Sequence, residues 1–249
     1  MGQLDNKIAI VTGAGGGIGG AIAVRFAREG ARVAVADIDG ENGKSRAAEI
    51  TQEGGQAFSI VTDVTRKTSV EQMVQTALNR WGRIDILVNV AGGAQVKPVI
   101  EVSETEWDHI INMNLKSVFL CSQAVLPAMI KQNYGKIVSI SSLYGFTGNA
   151  TRASYAAAKA GVAVFTKSLA LEVVSHGINV NAVAPGRIAT DRVRGHYTDV
   201  EWAKQVAHIP MNRAGTPDEV ASAALFLILE ENKYITGQTI HVNGAWLNY

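Results

Sequence analysis

The 249-residue chain has a single cysteine, Cys121. No intrachain disulfide can form, which excludes a disulfide-stapled secreted scaffold. Cys121 lies in the run VFLCSQAV and reads as a small core hydrophobe. The five histidines, at 109, 176, 196, 208 and 241, are scattered without metal-ligand spacing, so no metal centre is expected. Neither charge dominates: 23 Lys and Arg against 22 Asp and Glu leave a net +1, with no bulk attraction for nucleic acid or an anionic membrane. No apolar run reads as long enough to span a bilayer. MGQLDNKIAIVTG enters a strand pattern directly, without the cationic, apolar and cleavage regions of a signal peptide. Linkers, repeats and low-complexity segments are also missing. The expectation is a cytoplasmic protein with a small-molecule substrate and no nucleic-acid or membrane partner.

What is present is ordinary globular composition, 47% hydrophobic and 18% charged, on a length that suits one domain over 1–249. Seven short β-branched runs, at 7–13, 31–38, 57–64, 84–92, 135–142, 177–186 and 238–244, alternate with helical patterns. The helical patterns cover 17–29, 41–54, 67–81, 104–132, 153–176 and 217–230. Several strand candidates are continuously apolar, as in strands buried on both faces of a parallel sheet. The fold class is therefore α/β: a doubly wound, mostly parallel, seven-stranded Rossmann-like sheet with helices on both faces. The stretch from Arg187 to Gly215 reads as irregular, with a substrate lid at about 187–213.

The first strand runs into VTGAGGGIGG, with glycines at 13, 15, 16, 17, 19 and 20 around Ile18. Gly13 lets the chain turn sharply, and Gly17 and Gly19 allow backbone to approach a ligand and helix to approach sheet. The helix that follows offers unpaired N–H groups to a pyrophosphate. Asp37, followed by Ile38, ends the second strand 24 positions after Gly13. A carboxylate there accepts from adenosine ribose hydroxyls and repels a 2′-phosphate, so the expected cofactor is NAD rather than NADP. Asp39 suits the cap of the next helix better than Asp37 does. Asp63 is a second strand-end acid, read as meeting the adenine edge or as capping a helix.

Tyr155 and Lys159 stand four apart in SYAAAKAG and share one helix face. Free tyrosine titrates near ~10, and a cation within reach stabilises tyrosinate. A Tyr so poised can pass a proton to or from a substrate oxygen while hydride moves to or from a nicotinamide. Ser142, at the carboxyl end of the fifth strand, can polarise the same oxygen.

These pieces together resemble the short-chain dehydrogenase/reductase family, in its compact single-domain branch. They are TGAGGGIG (12–19), DV (63–64), VAG (90–92), NMNL (112–115), Ser142, YAAAK (155–159) and APG (184–186), in the family's order along nearly the whole chain. The resemblance implies that Tyr155 is the general acid/base. It implies that Lys159 lowers the pKa of Tyr155 and binds the nicotinamide ribose, and that Ser142 orients the substrate oxygen. Asn114 would kink its helix and hold a water in a proton relay. Pro185, Gly186, Ile188 and Thr190 would flank the nicotinamide. Asp63, Val64, Asn89, Ala91 and Gly92 would line the adenosine side. A homo-oligomer, a dimer of dimers, would pair the helices near 117–130 and 153–176. Two departures stand out. Val90 replaces a frequent asparagine, and the tail reads VNGA over Val242–Ala245 where the family often writes VDGG.

The leading reading is an NAD-dependent oxidoreductase acting on a secondary alcohol or ketone. An NADP-dependent 3-oxoacyl thioester reductase is the alternative; Asn133 and His176, where such reductases tend to carry arginine, count against it. A non-catalytic NAD-binding sensor is a third reading, but it is expected to have lost Tyr155, Lys159 or Ser142. Arg187, Arg192, Arg194 and His196, with Arg152 just before Tyr155, either meet an anionic substrate group or form a solvated lid balanced by Asp191 and Asp199.

Overall fold

The computed structural model describes residues 2–247. All seven strand patterns form strands: β1 (Ile8–Thr12), β2 (Arg32–Asp37), β3 (Gln56–Val61), β4 (Ile86–Asn89), β5 (Gly135–Ile140), β6 (Ile178–Pro185) and β7 (Thr239–Val242). They make one parallel sheet in the order β3-β2-β1-β4-β5-β6-β7. Every residue of β1, β4, β5 and β6 is buried, as their continuous apolar runs require, whereas the edge strands β3 and β7 are part-exposed. The order reverses direction between β1 and β4, and in such sheets the carboxyl ends of the strands at that reversal are where ligands bind.

The period-2 alternation of the strands divides the core. Ala9, Val11, Val33, Val35, Val88 and Val138 face α1 (Gly17–Arg28), α2 (Gly40–Gln52) and α10 (Pro217–Ile228). Ile10, Ala34, Ala36, Leu87, Ile137 and Val180 face α3 (Lys67–Trp81), α5 (Ser117–Gln132) and α7 (Ala153–Val173). Cys121 is in this second layer, and burial pushes its thiol up to about 12. It is a packing residue, as its apolar run implies.

Three departures from the sequence reading matter for the site. First, the helix expected over 104–132 is α4 (Glu104–Ile111), a π-turn (Asn112–Lys116) and then α5. Two side chains enter its backbone ladder: Asn114 Nδ2 donates to Ile110 O at 3.0 Å and Ser117 Oγ donates to Met113 O at 2.6 Å. Second, this continuous helix of 29 residues contains a stretch long and apolar enough to cross a membrane, which run lengths alone did not indicate. Here it packs on β4, β5, α3 and α7. Third, the lid is not irregular. It contains α8 (Asp191–Arg194) and α9 (Asp199–Val206), and a parallel bridge between Ile188 and Gly215 closes its base. The short α6 (Tyr144–Thr147) lies between β5 and α7.

Candidate active site

At the end of β5 the chain and α7 clasp each other. Ser141 Oγ donates to Lys159 O at 2.8 Å, and Lys159 Nζ donates to Ile140 O at 2.7 Å. Lys159 is 4% exposed, and burial alone pulls its ammonium down to about 8. Its Nζ lies 5.7 Å from the centre of the Tyr155 ring. Ser142, also buried, follows the clasp, and its Oγ accepts from Tyr144 N at 3.2 Å.

Tyr155 is governed by opposing effects. Burial raises its pKa, and this effect outweighs the rest. A hydrogen bond with Ser142 and the charges of Arg152 and Arg192 pull the other way, while Tyr144 adds to the rise. The expected lowering by Lys159 is therefore not what this geometry gives. The ammonium is held by the Ile140 carbonyl, and desolvation of the phenolate dominates.

Asn114, fully buried in the π-turn, accepts from Gly93 N at 3.2 Å and donates to Gly93 O at 2.8 Å. A Cβ on Gly92 would lie 2.6 Å from Asn114 Oδ1 and 3.6 Å from Lys159 Nζ. The loop after β4, the π-turn and α7 thus converge on one point at the sheet edge.

The glycine turn lies on the other side of this point. Gly13 has φ +63°, and a Cβ on it would come within 2.9 Å of Ala91 Cα. A Cβ on Gly19 would be 2.1 Å from Gly13 O, so the first turn of α1 rests directly on the strand end. Gly16 caps α1 without a side-chain bond and has open space where its Cβ would be. Thr190 faces Gly17 across the opening, its methyl 3.3 Å from a Gly17 Cβ position. An uncapped helix start in a cradle without Cβ atoms, roofed by Thr190, fits a dinucleotide pyrophosphate.

The remaining predicted residues fall into two groups. Ile38 (70% exposed) and Asp63 line one shallow cleft with Arg66 and Ser69. Asp63 Oδ1 is occupied by Thr65 N at 2.9 Å and Thr65 Oγ1 at 2.6 Å, so the carboxylate also braces its own turn. Pro185 ends β6; its carbonyl accepts from Leu143 N at 2.9 Å, and Gly186 lies against Asn243. Val64, Asn89 and Ile188, by contrast, have buried side chains. Asn89 Nδ2 donates to Ser139 Oγ at 3.2 Å, and Val64 and Ile188 pack in the core, so these three offer a ligand backbone only. Ile18 and Ala91 also pack partly on the core.

The sequence reading missed one residue that joins the strand ends. Thr12 Oγ1 accepts from Val90 N at 3.1 Å and Ala91 N at 3.3 Å, tying β1 to the loop after β4. A threonine directly before the glycine turn, where an apolar strand residue is expected, is the available signal. The departure at Val90 leaves its side chain against the core. In the tail, Ala245 takes φ +65°, a conformation that glycine adopts without strain.

Residues 13–246 match the family described as enoyl-(acyl carrier protein) reductase. A 3-oxoacyl-(acyl-carrier-protein) reductase of Salmonella typhimurium is 44% identical over 243 residues, 98% of each chain. Its counterparts in Vibrio cholerae, over 243 residues, and Thermotoga maritima, over 245, are each 42% identical with 98% of both chains covered. These findings overturn the expected preference for NAD, because such relatives use NADPH. The local reason is that Asp37 is engaged within the chain. Its Oδ2 accepts from Gly15 N at 2.8 Å and its Oδ1 from Asp39 N at 3.0 Å. The carboxylate shapes the glycine loop, and Asp39 caps α2 as expected. With its fold, its convergent Asn114, Ser142, Tyr155 and Lys159, and relatives matched along its whole length, the chain belongs to the short-chain dehydrogenase/reductase family and is an NAD(P)-dependent oxidoreductase acting on a keto or hydroxyl group.

Proposed function

We propose that the protein is an NADPH-dependent reductase of 3-oxoacyl thioesters, which it converts to 3-hydroxyacyl thioesters. One observation carries the chemistry: the clasp between the end of β5 and α7, with Ser141 Oγ donating to Lys159 O at 2.8 Å and Lys159 Nζ to Ile140 O at 2.7 Å, seats Ser142 against the helix of Tyr155 and holds the buried Nζ 5.7 Å from the centre of the Tyr155 ring. Whole-length relatives that are 3-oxoacyl-(acyl-carrier-protein) reductases favour this substrate over a simple alcohol or ketone.

The nicotinamide supplies the hydride. Tyr155 gives its proton to the substrate oxygen; burial, which raises the pKa of its phenol, keeps it protonated at neutral pH, and the hydrogen bond with Ser142 and the charges of Arg152 and Arg192 favour the phenolate left behind. Ser142 donates to the same oxygen as charge develops on it. Lys159 binds the ribose and returns a proton toward Tyr155, and Asn114 holds the π-turn open beside it. Gly13, Gly15, Gly16, Gly17, Ile18 and Gly19 hold the pyrophosphate. Ile38, Asp63 and the backbone of Val64, Asn89, Ala91 and Gly92 flank the adenosine. Pro185, Gly186, Thr190 and the backbone of Ile188 flank the nicotinamide. A non-catalytic sensor is disfavoured because Ser142, Tyr155 and Lys159 are all present and assembled.

We place the enzyme in the cytoplasm as a dimer of dimers. The exposed apolar residues Phe119 and Ile130 on α5 and Val164 and Leu171 on α7 support that assembly. The test of the function is NADPH oxidation with an acetoacetyl group carried on acyl carrier protein. Tyr155→Phe should lose about 10²- to 10⁴-fold in turnover while NADPH binding, followed by nucleotide fluorescence, persists. Inert thioester with the wild-type protein, or full turnover in the variant, overturns the reading.

A further inference from the structure

The run SSLYG, Ser141–Gly145, ends in a glycine whose backbone conformation does not call for one. Gly145 lies inside α6 and its φ is not positive, so any residue could adopt its backbone, and alanine favours a helix more than glycine does. Space is what requires glycine here. A Cβ at this position would lie 2.8 Å from Ala160 N and 2.8 Å from Lys159 C, both on α7. These are main-chain atoms, which cannot turn aside as the end of a side chain can. A carbon contact is ordinary from ~3.5 Å, so a methyl group would part α6 from α7 by about 0.7 Å. The Ser142 side of the contact is the less able to yield. Ser141 N donates to Val183 O at 2.8 Å and Leu143 N to Pro185 O at 2.9 Å, which ties the chain to β6 on both sides of Ser142. Gly145 N in turn donates to the carbonyl of Ser142 at 3.0 Å. On the α7 side, Ser141 Oγ holds Lys159 O and Lys159 Nζ holds Ile140 O. Two hydrogen bonds thus draw α7 onto the end of β5 at Lys159, and a residue without a Cβ lets it come that close.

We infer that Gly145 is a positioning residue for the reduction: by letting the backbone of α6 touch that of α7 at Lys159 and Ala160, it sets how far Tyr155 and Lys159 stand from Ser142. The inference rests on the reading of Ser142 and Tyr155 as the pair that holds the substrate oxygen. Gly145 acts only through the Ser142 carbonyl and the backbone of α7. Two groups that must reach one oxygen together tolerate misplacement of about 0.5 Å. The displacement that a methyl group imposes exceeds this, and with Ser142 tied to β6 it falls on α7, which carries Tyr155.

The test measures NADPH oxidation with an acetoacetyl group on acyl carrier protein in the wild type, Gly145→Ala and Ser141→Ala, with rates expressed per NADPH-binding site so that unfolded protein does not count. Gly145→Ala should lower kcat by roughly 10- to 100-fold. The thioester KM and the NADPH dissociation constant should each stay within about 3-fold of the wild type, since the glycine turn and the lid are untouched. Ser141→Ala loosens the same clasp without adding bulk, and it should lower kcat in the same pattern by about 5-fold. It decides the matter where Gly145→Ala does not fold. A lower melting temperature in Gly145→Ala with kcat per site unchanged would make the glycine a packing residue alone and overturns the inference. A loss confined to KM, or an unchanged kcat in Ser141→Ala where the glycine variant does not fold, overturns it as well. A wild type inert with the thioester but active on methyl 3-oxobutanoate overturns the thioester reading only, and the same comparison on that ester then decides the role of Gly145. Inertness on both overturns both.

Discussion

Lys159 is a buried cation that forms no ion pair among the described residues, and its ammonium donates to the Ile140 carbonyl. Its pKa falls from 10.5 to about 8 through desolvation. The folded protein thus binds this proton more weakly than the unfolded chain. The associated stability is fully present above the unfolded value of 10.5 and is lost as the pH falls through about 8. At pH 7 the charge opposes folding by about 3 kcal/mol at most. Lys159→Met removes that cost and leaves one carbonyl without its donor, a loss of about 1 kcal/mol. We expect the variant to be inactive yet to melt a few degrees higher at pH 7, by about 2–4 °C per kcal/mol, with the gain shrinking toward pH 10. A lower melting temperature at pH 7 would contradict this. The Tyr155–Lys159 spacing was legible from SYAAAKAG, but the balance of effects on Tyr155 was not. Spacing shows which charges share a helix face, and it does not show how much water burial removes. Asp37 was misread for a similar reason. A strand-end acid looks available to a ribose until its oxygens are seen to hold the Gly15 and Asp39 amides.

At the scale of elements, the π-turn is what carries Asn114 into the site. Its amide satisfies the N–H and C=O of Gly93 and the carbonyl of Ile110 together. Asn114→Ala would remove the side-chain partner of three backbone groups, one buried and two part-buried, at about 1–3 kcal/mol for each group that water does not reach. The expected loss is about 2–4 kcal/mol in denaturant unfolding, with a larger fall in kcat than in cofactor affinity. Unchanged stability would mean that the turn is held by packing alone. The strands and long helices were readable because their apolar periods of 2 and 3.6 persist over many residues. The interruption at Asn114 was implied by the family resemblance and not by the periodicity, because one extra residue per turn barely disturbs the pattern of a 29-residue helix. In the lid, α8 is too short to show a period. For α9 there was a signal: Thr198 and Glu201 form a capping box, spaced as a first-turn motif requires. The polar, part-exposed residues that follow it made the segment look like a loop.

At the scale of the whole molecule, α5 and α7 have more apolar surface than one chain can bury. On α7 the residues Ala157, Ala160, Val164 and Leu171 recur at helical spacing on the side away from the sheet, with Leu171 81% and Val164 61% exposed. On α5 they are matched by Phe119 and Ile130, and Phe119 meets Phe165 of α7 edge to face at 6.4 Å, so the two helices form one continuous patch. At about 25 cal/mol per Å² of apolar area removed from water, covering such a patch twice across a two-fold axis is strongly favourable. The same helices carry the proposed site residues: α5 extends from the π-turn of Asn114, and α7 carries Tyr155 and Lys159. Pairing them would therefore stiffen the site as well as hide the patch. We expect the wild-type protein to scatter light as a tetramer at micromolar concentration. Val164→Glu with Leu171→Glu should place unpaired carboxylates in that contact and shift the mass to dimers held by another face. Turnover should fall with the mass, although both side chains are exposed on the side of α7 away from the sheet. A monomeric wild type would refute the assembly, and a dimeric variant with full turnover would separate assembly from catalysis.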